Sequence, residues 1–201
     1  MTLRLSASAA LGCVLAIGLA VAAPVPLTID TARITIAGTS NVHAWTASTT
    51  AVTVTTVRIA PDVAGPDFWD AIRRPGALEA FSIVIPAASL TSPKDGLDKN
   101  MHKALKVKEH AEIVFRLVRL DPGAAEGTLR AVGMLAVAGV EREIAFDLMA
   151  TRAGASLTVT GEVPIVMTDF GIEPPKAMLG MLRTDPKVTV RFEAVLAIPL
   201  T

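Results

Sequence analysis

The sequence predicts a mainly β domain, an antiparallel barrel or sandwich of about eight strands with one short helix. Three observations predict it. Apolar and polar residues alternate in short runs between Leu27 and Ile198, the period of strands with one buried face. Turn-formers such as Asp121-Pro122-Gly123 and Gly139-Val140 separate those runs at hairpin scale. Helical text never links strands in βαβ order, which argues against a doubly wound fold.

The chain opens with a segment of another kind. Met1 to Leu5 carries one positive charge, Arg4, and Ala7 to Val21 is apolar or small and uncharged. Ala20-Val21-Ala22 then supplies an A-x-A pattern. This is the layout of a secretory signal peptide over residues 1–22, with cleavage after Ala22 expected because a cut after Ala23 would leave Pro24 next to the scissile bond. The alternative is an uncleaved anchor, but the apolar run is short for a span of about 20 residues. Cys13 lies inside this segment, in only a loose likeness of a lipobox. The mature chain then has no cysteine, which excludes disulfides, thiol catalysis and cysteine–metal sites.

Lys plus Arg and Asp plus Glu both total 19, and loss of the leader removes only Arg4. A near-neutral domain without a basic block has no electrostatic footprint for nucleic acid. Its Val, Thr and Ile favour strands, and Tyr is absent.

The elements follow in order. Leu27 opens strand-like text with Ile29, Ile34 and Ile36, ended by Gly38. The polar segment Thr39 to Trp45 sets His43 and Trp45 on one face if a strand runs through them. Thr46 to Ile59 reads as one long strand. Val52 and Val54 fall on one phase and Val57 and Ile59 on the other, so a bulge or bend is expected near Thr55-Thr56. Pro61 to Gly76 is a loop in which Phe68, Trp69 and Ile72 have the spacing of one helical turn. Leu78 to Ile85 puts Phe81, Ile83 and Ile85 on one face.

Ser92-Pro93 and Asp95 are helix-start signals. Leu97, Met101, Ala104 and Leu105 then line one helical face. Period two returns in Ala111 to Leu120, where Ile113, Phe115 and Leu117 form the buried phase. Thr128 to Ala138, Glu141 to Ala150 (with Ile144 and Phe146) and Leu157 to Met167 are further strands. A long connection, Thr168 to Thr184, carries an apolar cluster at Met178, Leu179, Met181 and Leu182. Lys187 to Ile198 is the clearest strand, with Val190 and Phe192 on its apolar phase. No linker divides two domains, so one domain is expected over residues 27–200.

Several motifs, taken in order, resemble the YceI-like family. Gly38-Thr39-Ser40 with His43 and Trp45 matches the family's "GtS..H.W" opening in one branch. Leu97-Asp98-Lys99-Asn100-Met101, Ala104-Leu105-Lys106 and Ile113-Val114-Phe115 match its "D..M..aLk...hP.I.F" pattern, with Ala111 in place of the usual Pro. Gly133-Met134-Leu135 with Ala138-Gly139-Val140 matches a hairpin signature, although Glu141-Arg142 stands where many members have Thr-Lys. Thr168-Asp169-Phe170-Gly171-Ile172 matches a late "dFGi" turn. The resemblance spans Leu27 to Ile198. It implies an eight-stranded antiparallel lipocalin-like barrel with the short helix covering one end. It also implies export to the bacterial periplasm and an apolar interior that holds a polyisoprenoid or similar lipid, such as an isoprenoid quinone or a polyprenyl phosphate, with no other cofactor.

The candidate ligand-binding residues follow from that interior. Phe81, Ile83, Ile113, Phe115, Phe146, Val190 and Phe192 would form the wall, and Met101 and Leu105 the floor under the helix. His43 and Trp45 would face the mouth, or else form a buried Trp with a hydrogen-bonded His. Phe170, with the Met178 to Leu182 cluster, would close a rim or anchor a loop. Medium-sized Val, Ile, Ala and Leu leave a barrel hard to fill, yet an ordinary packed core fits the same text. His43, His102 and His110 read as solvated histidines rather than a metal site. No G-x-S-x-G, H-E-x-x-H or phosphate-loop pattern occurs. The sequence therefore points to a non-catalytic carrier of an isoprenoid-like lipid. Its rivals are an enzyme with His43 as acid or base, and a ligand-free interaction module with a filled barrel. No membrane span is expected after cleavage, and the sequence leaves a homodimer open.

Overall fold

Alternating side chains build one antiparallel sheet of ten strands: β1 (Thr28–Ser40), β2 (Ala44–Thr49), β3 (Thr53–Ile59), β4 (Leu78–Pro86), β5 (Glu112–Pro122), β6 (Thr128–Val137), β7 (Val140–Ala153), β8 (Ser156–Val166), β9 (Lys176–Ala177) and β10 (Leu182–Ala197). Two short helices, α1 (Phe68–Ala71) and α2 (Asp95–Ala104), interrupt it. The computed structural model describes residues 27–61, 63, 67–177 and 181–197. The expected signal segment, residues 1–22, lies outside the described residues, as do Met178 and Leu179. Among the described residues, no helix is long and apolar enough to cross a membrane.

The strand order is β2-β1-β10-β8-β7-β6-β5-β4-β3, with β9 pairing β10 off this path. The sheet curls into a half-barrel whose edges are β2 and β3. A closed barrel of eight strands is thus corrected in two respects. The Thr46 to Ile59 text is two strands, because the chain leaves the ladder at Thr50–Val52 before β3 begins. No ladder then joins β3 to β2 or β1 among the described residues. The free edge of β2 is instead covered by Thr91, which exchanges two backbone hydrogen bonds with Ser48 at 2.8 and 3.0 Å. Covering an edge in this way satisfies backbone groups that would otherwise template aggregation.

Two local expectations hold. The register slips between Val54 and Thr56 against β4, which is the bulge expected from the change of phase. Phe68, Trp69 and Ile72 do form a helical turn, and all three are buried. The β6–β7 hairpin turns through Ala138 and Gly139, at φ 50° and 83°. Two successive positive φ values give a turn whose twist matches the flanking strands. The turn is therefore one residue earlier than Gly139-Val140, and Val140 is already paired with Val137.

Helix α2 begins at Asp95 with no side-chain cap on Lys94. Ser92 does not cap the helix but folds the approach to it: its Oγ donates to the Lys94 carbonyl at 3.0 Å and accepts from the Lys94 N–H at 3.1 Å. Asp98 reaches back to accept the Ser92 N–H at 2.8 Å. The helix then lays Met101 and Leu105, both buried, against Ile85, Ile113 and Val137.

The buried residues fall into two clusters, one at each end of the curled sheet. The first joins α2 to Phe170, Ile172 and Val188. The second joins α1 to Leu27, Ala77, Ala150 and Leu157. On the outer face, Arg116–Glu141, Arg130–Asp147 and Arg191–Glu162 pair across strands. All three pairs are exposed, so each adds little to stability.

Candidate functional site

Between the two clusters the inward phase of the sheet encloses an apolar cavity of about 340 Å³. That volume lies within the range of roughly 300–1,000 Å³ typical of small-molecule sites. Its walls come from every long strand. The decisive detail is that its mid-wall residues, including Phe81, Ile83, Phe115, Phe146 and Phe192, point inward yet stay only half-buried. In a filled interior such residues would be fully covered by facing side chains. Here the chain itself does not cover them.

The strands position these groups by alternation, and glycines set the depth of the rings. Phe192 pairs across the ladder with Gly161, and a side chain there would collide with its ring. The Phe115 ring likewise covers Gly133, which pairs not with Phe115 but with Leu117, and Trp45 covers its own partner Gly38. Phe115, Phe146 and Phe192 follow one another at ring-centroid distances of 5.7 and 5.6 Å. Aromatic rings seated on glycines stay close to the wall, which leaves the middle of the barrel open.

Of the twelve expected ligand-binding residues, ten line this cavity: Trp45, Phe81, Ile83, Met101, Leu105, Ile113, Phe115, Phe146, Val190 and Phe192. His43 does not. It lies in the turn before β2, exposed, where its carbonyl accepts from the Ser40 N–H at 2.9 Å and its own N–H donates to Ser40 Oγ at 3.1 Å. Because no strand runs through His43, the shared face with Trp45 is lost. Phe170 is also outside the lining. It is 3% exposed in the cluster around α2 and closes a 3-10 turn, Met167–Phe170, that ends at Gly171 with φ 64°. It is a loop anchor rather than a rim.

Sequence reasoning passed over the lining residue with the most chemistry. Arg73 follows α1 and borders the cavity. One Nη donates to Asp70, whose other carboxylate oxygen accepts from Arg152 at 3.3 Å. Among the described residues, its Nε is buried without a hydrogen-bond partner, and so is Nε1 of Trp45. Glu193, the other charged residue at the lining, is exposed and alternates outward from Phe192. Periodicity gives no direction to a side chain in a loop, so the only signal for Arg73 was its place beside the Phe68-Trp69-Ile72 turn.

The three histidines stay apart in role. His102 Nε2 bonds the Leu90 carbonyl oxygen at 2.8 Å, and the His110 ring lies against Gly139. Among the described residues, no group of three or more His, Cys, Asp or Glu is placed to hold a metal ion.

Solved structures of other proteins share this architecture. BcnA from Burkholderia cenocepacia superposes with a TM-score of 0.64 at 13% identity, over 83% of this chain and 96% of that one. A polyisoprenoid-binding domain from Saccharophagus degradans gives 0.63 at 16% identity, over 87% and 99%. The Campylobacter jejuni YceI protein gives 0.53 at 12% identity, over 95% and 94%. Likeness at this level of identity speaks to the fold alone. No curated protein matches the sequence. The model of the YceI-like domain matches residues 27–196, nearly the whole of the described chain. The chain belongs to the YceI-like domain family.

Proposed function

We propose that this protein is a non-catalytic carrier that holds an isoprenoid-like lipid in the cavity of its curled sheet. The observation that carries this reading is the half-buried inward wall, a surface of Val, Ile, Leu and Phe left without partners of its own. An acyl or prenyl chain supplies them. Each buried CH₂ contributes roughly 0.8 kcal/mol before the cost of ordering the chain. The polyisoprenoid-binding character of the Saccharophagus degradans domain supports the same ligand class. The leader-like segment at residues 1–22 supports export to the periplasm.

The enzyme reading draws no support from the cavity. His43, its acid or base, lies outside the lining. Native mass spectrometry of the exported protein, with organic extraction of what co-purifies, tests the proposal. A mass excess that extraction releases as a lipid is expected. A bare mass, with no lipid taken up on incubation, would refute it. A rise in His43-dependent turnover of an added lipid would favour the enzyme.

A further inference from the structure

The exposed charges of this protein are unevenly arranged, and the uneven part sits at one end of the cavity. On the outer face of the sheet, Arg58, Arg116, Arg119, Arg130 and Arg191 each pair with a carboxylate. The α2 segment is different. Lys94, Lys99, Lys103, Lys106 and Lys108 are all exposed, and none has an ion-pair partner among the described residues. The acids of the same stretch are Asp95, Asp98 and Glu109, so five lysines stand against three carboxylates. Asp98 is already turned to the Ser92 N–H. Lys99 and Lys103 lie one turn apart on α2, away from buried Met101 and Leu105.

The same end carries exposed apolar side chains. Val42 and Met181 are the most exposed large hydrophobic residues among those described, at 67% each. They come from two loops, the β1–β2 turn and the approach to β10, which Asn41 ties together. Its Nδ2 donates to the Met181 carbonyl at 2.8 Å, and its Oδ1 accepts from the Arg183 N–H at 2.9 Å. Three residues further along each loop, Trp45 and Thr184 line the cavity, as does Leu97 of α2. Trp45 packs on the same buried cluster as Met101, which places the turn and the helix at one end. The other exposed large hydrophobics, Val118 and Met149, stand apart on β5 and β7.

We infer that the α2 end is a docking face for an anionic lipid bilayer. The α2 lysines meet the phosphate head groups, and Val42 and Met181 enter the boundary between head groups and acyl chains. Cations near an anionic lipid surface and apolar side chains in its interface act together in this way. Charge complementarity selects an anionic partner, and the exposed apolar pair selects a bilayer over an acidic polypeptide. The face brings the cavity end at Trp45 and Thr184 to the membrane, and it stands whatever the cavity holds.

The test is co-sedimentation of the exported protein with phosphatidylcholine vesicles, with and without phosphatidylglycerol. Neither vesicle contains an isoprenoid, so the outcome is independent of the carrier reading. Binding is expected only with phosphatidylglycerol. It should weaken between ionic strengths of about 0.01 and 1 M, where the screening length falls from about 30 to about 3 Å. Lys99→Gln with Lys103→Gln should weaken binding about tenfold or more. Val42→Ser with Met181→Ser should remove the part that survives at high salt. Arg130→Gln and Met149→Ser, the same losses made on the sheet, should leave binding unchanged. Thermal midpoints close to wild type show that these surface variants are folded. No vesicle binding, equal binding without phosphatidylglycerol, or an equal loss in Arg130→Gln would overturn the inference. Polyglutamate bound as tightly as the vesicles, with Val42→Ser and Met181→Ser without effect, would assign the face to an acidic protein and overturn it as well.

Discussion

Phe192 covers Gly161, its cross-strand partner on β8, so closely that a methyl group on the glycine would run into the ring. The glycine is what lets the ring sit against the wall. Its backbone is not in the left-handed region, so the effect of a side chain here is steric alone. Gly161→Ala should push Phe192 toward the lumen and against Phe146, at a cost of about 1–3 kcal/mol. The urea midpoint is expected to fall and the uptake of an alkyl probe to weaken with it. An unchanged midpoint would mean that the ring moves freely and sets no cavity depth.

Gly96 gives the opposite expectation. It lies in the first turn of α2, with nothing within 4 Å of where a Cβ would stand. Gly96→Ala reduces the freedom of the unfolded chain and meets no neighbour, so it should raise stability by about 0.4–1 kcal/mol. Denaturant titration against wild type checks the sign. A loss of stability would place this turn in a different backbone conformation.

Val190 decides whether the interior is hollow. It faces the cavity beside Phe192 and is half-buried. In a packed core, Val190→Phe costs about 1–3 kcal/mol by overpacking. In a hollow one the added ring enters free space, so the thermal midpoint should hold or rise while lipid occupancy by native mass spectrometry drops. A large destabilisation with occupancy unchanged would identify the interior as filled.

Met101 tests the floor. It is 8% exposed and holds α2 to the first buried cluster. Met101→Ala should cost about 2 kcal/mol, near the low end for buried Met because one side of it borders the cavity rather than packed atoms. Hydrogen exchange is expected to speed up in residues 95–104 while the strands stay protected. Uniform acceleration across the sheet would make α2 part of one cooperative core instead of a docked cover.

Most of the wall could be read in the chain because a strand writes its inner face at period two. Phe81, Ile83, Ile113, Phe115, Phe146, Val190 and Phe192 each followed from a local alternation that the sheet simply preserves. What failed depended on non-local partners or on loops. Thr50–Val52 leaves the ladder within unbroken Thr/Val text, where nothing local marks a break. His43 would share a face with Trp45 only if a strand ran through both, and Ser40 folds it into a turn instead. The Gly161–Phe192 and Gly133–Phe115 seatings exist only once the register of neighbouring strands is fixed. Arg73 sits after a helical turn, where neither period two nor period 3.6 gives a side chain its direction.

Trp45 carries the last prediction. Its ring lies over Gly38, it lines the cavity, and its buried Nε1–H has no acceptor among the described residues. Phenylalanine keeps the ring contact and removes the unmatched donor. A buried donor without a partner costs about 1–3 kcal/mol. Trp45→Phe recovers part of that and loses some apolar area. In lipid-free protein, stability should therefore stay level or rise by up to about 1 kcal/mol. In lipid-loaded protein the outcome depends on whether the ligand has an acceptor at the α2 end. A ligand that brings only its apolar tail to the α2 end makes no hydrogen bond to Trp45, so affinity for dodecanol should be unchanged in this variant. A tenfold loss of that affinity would seat a polar head under α2. Denaturation of lipid-free protein and calorimetry of the same preparation read the two effects separately.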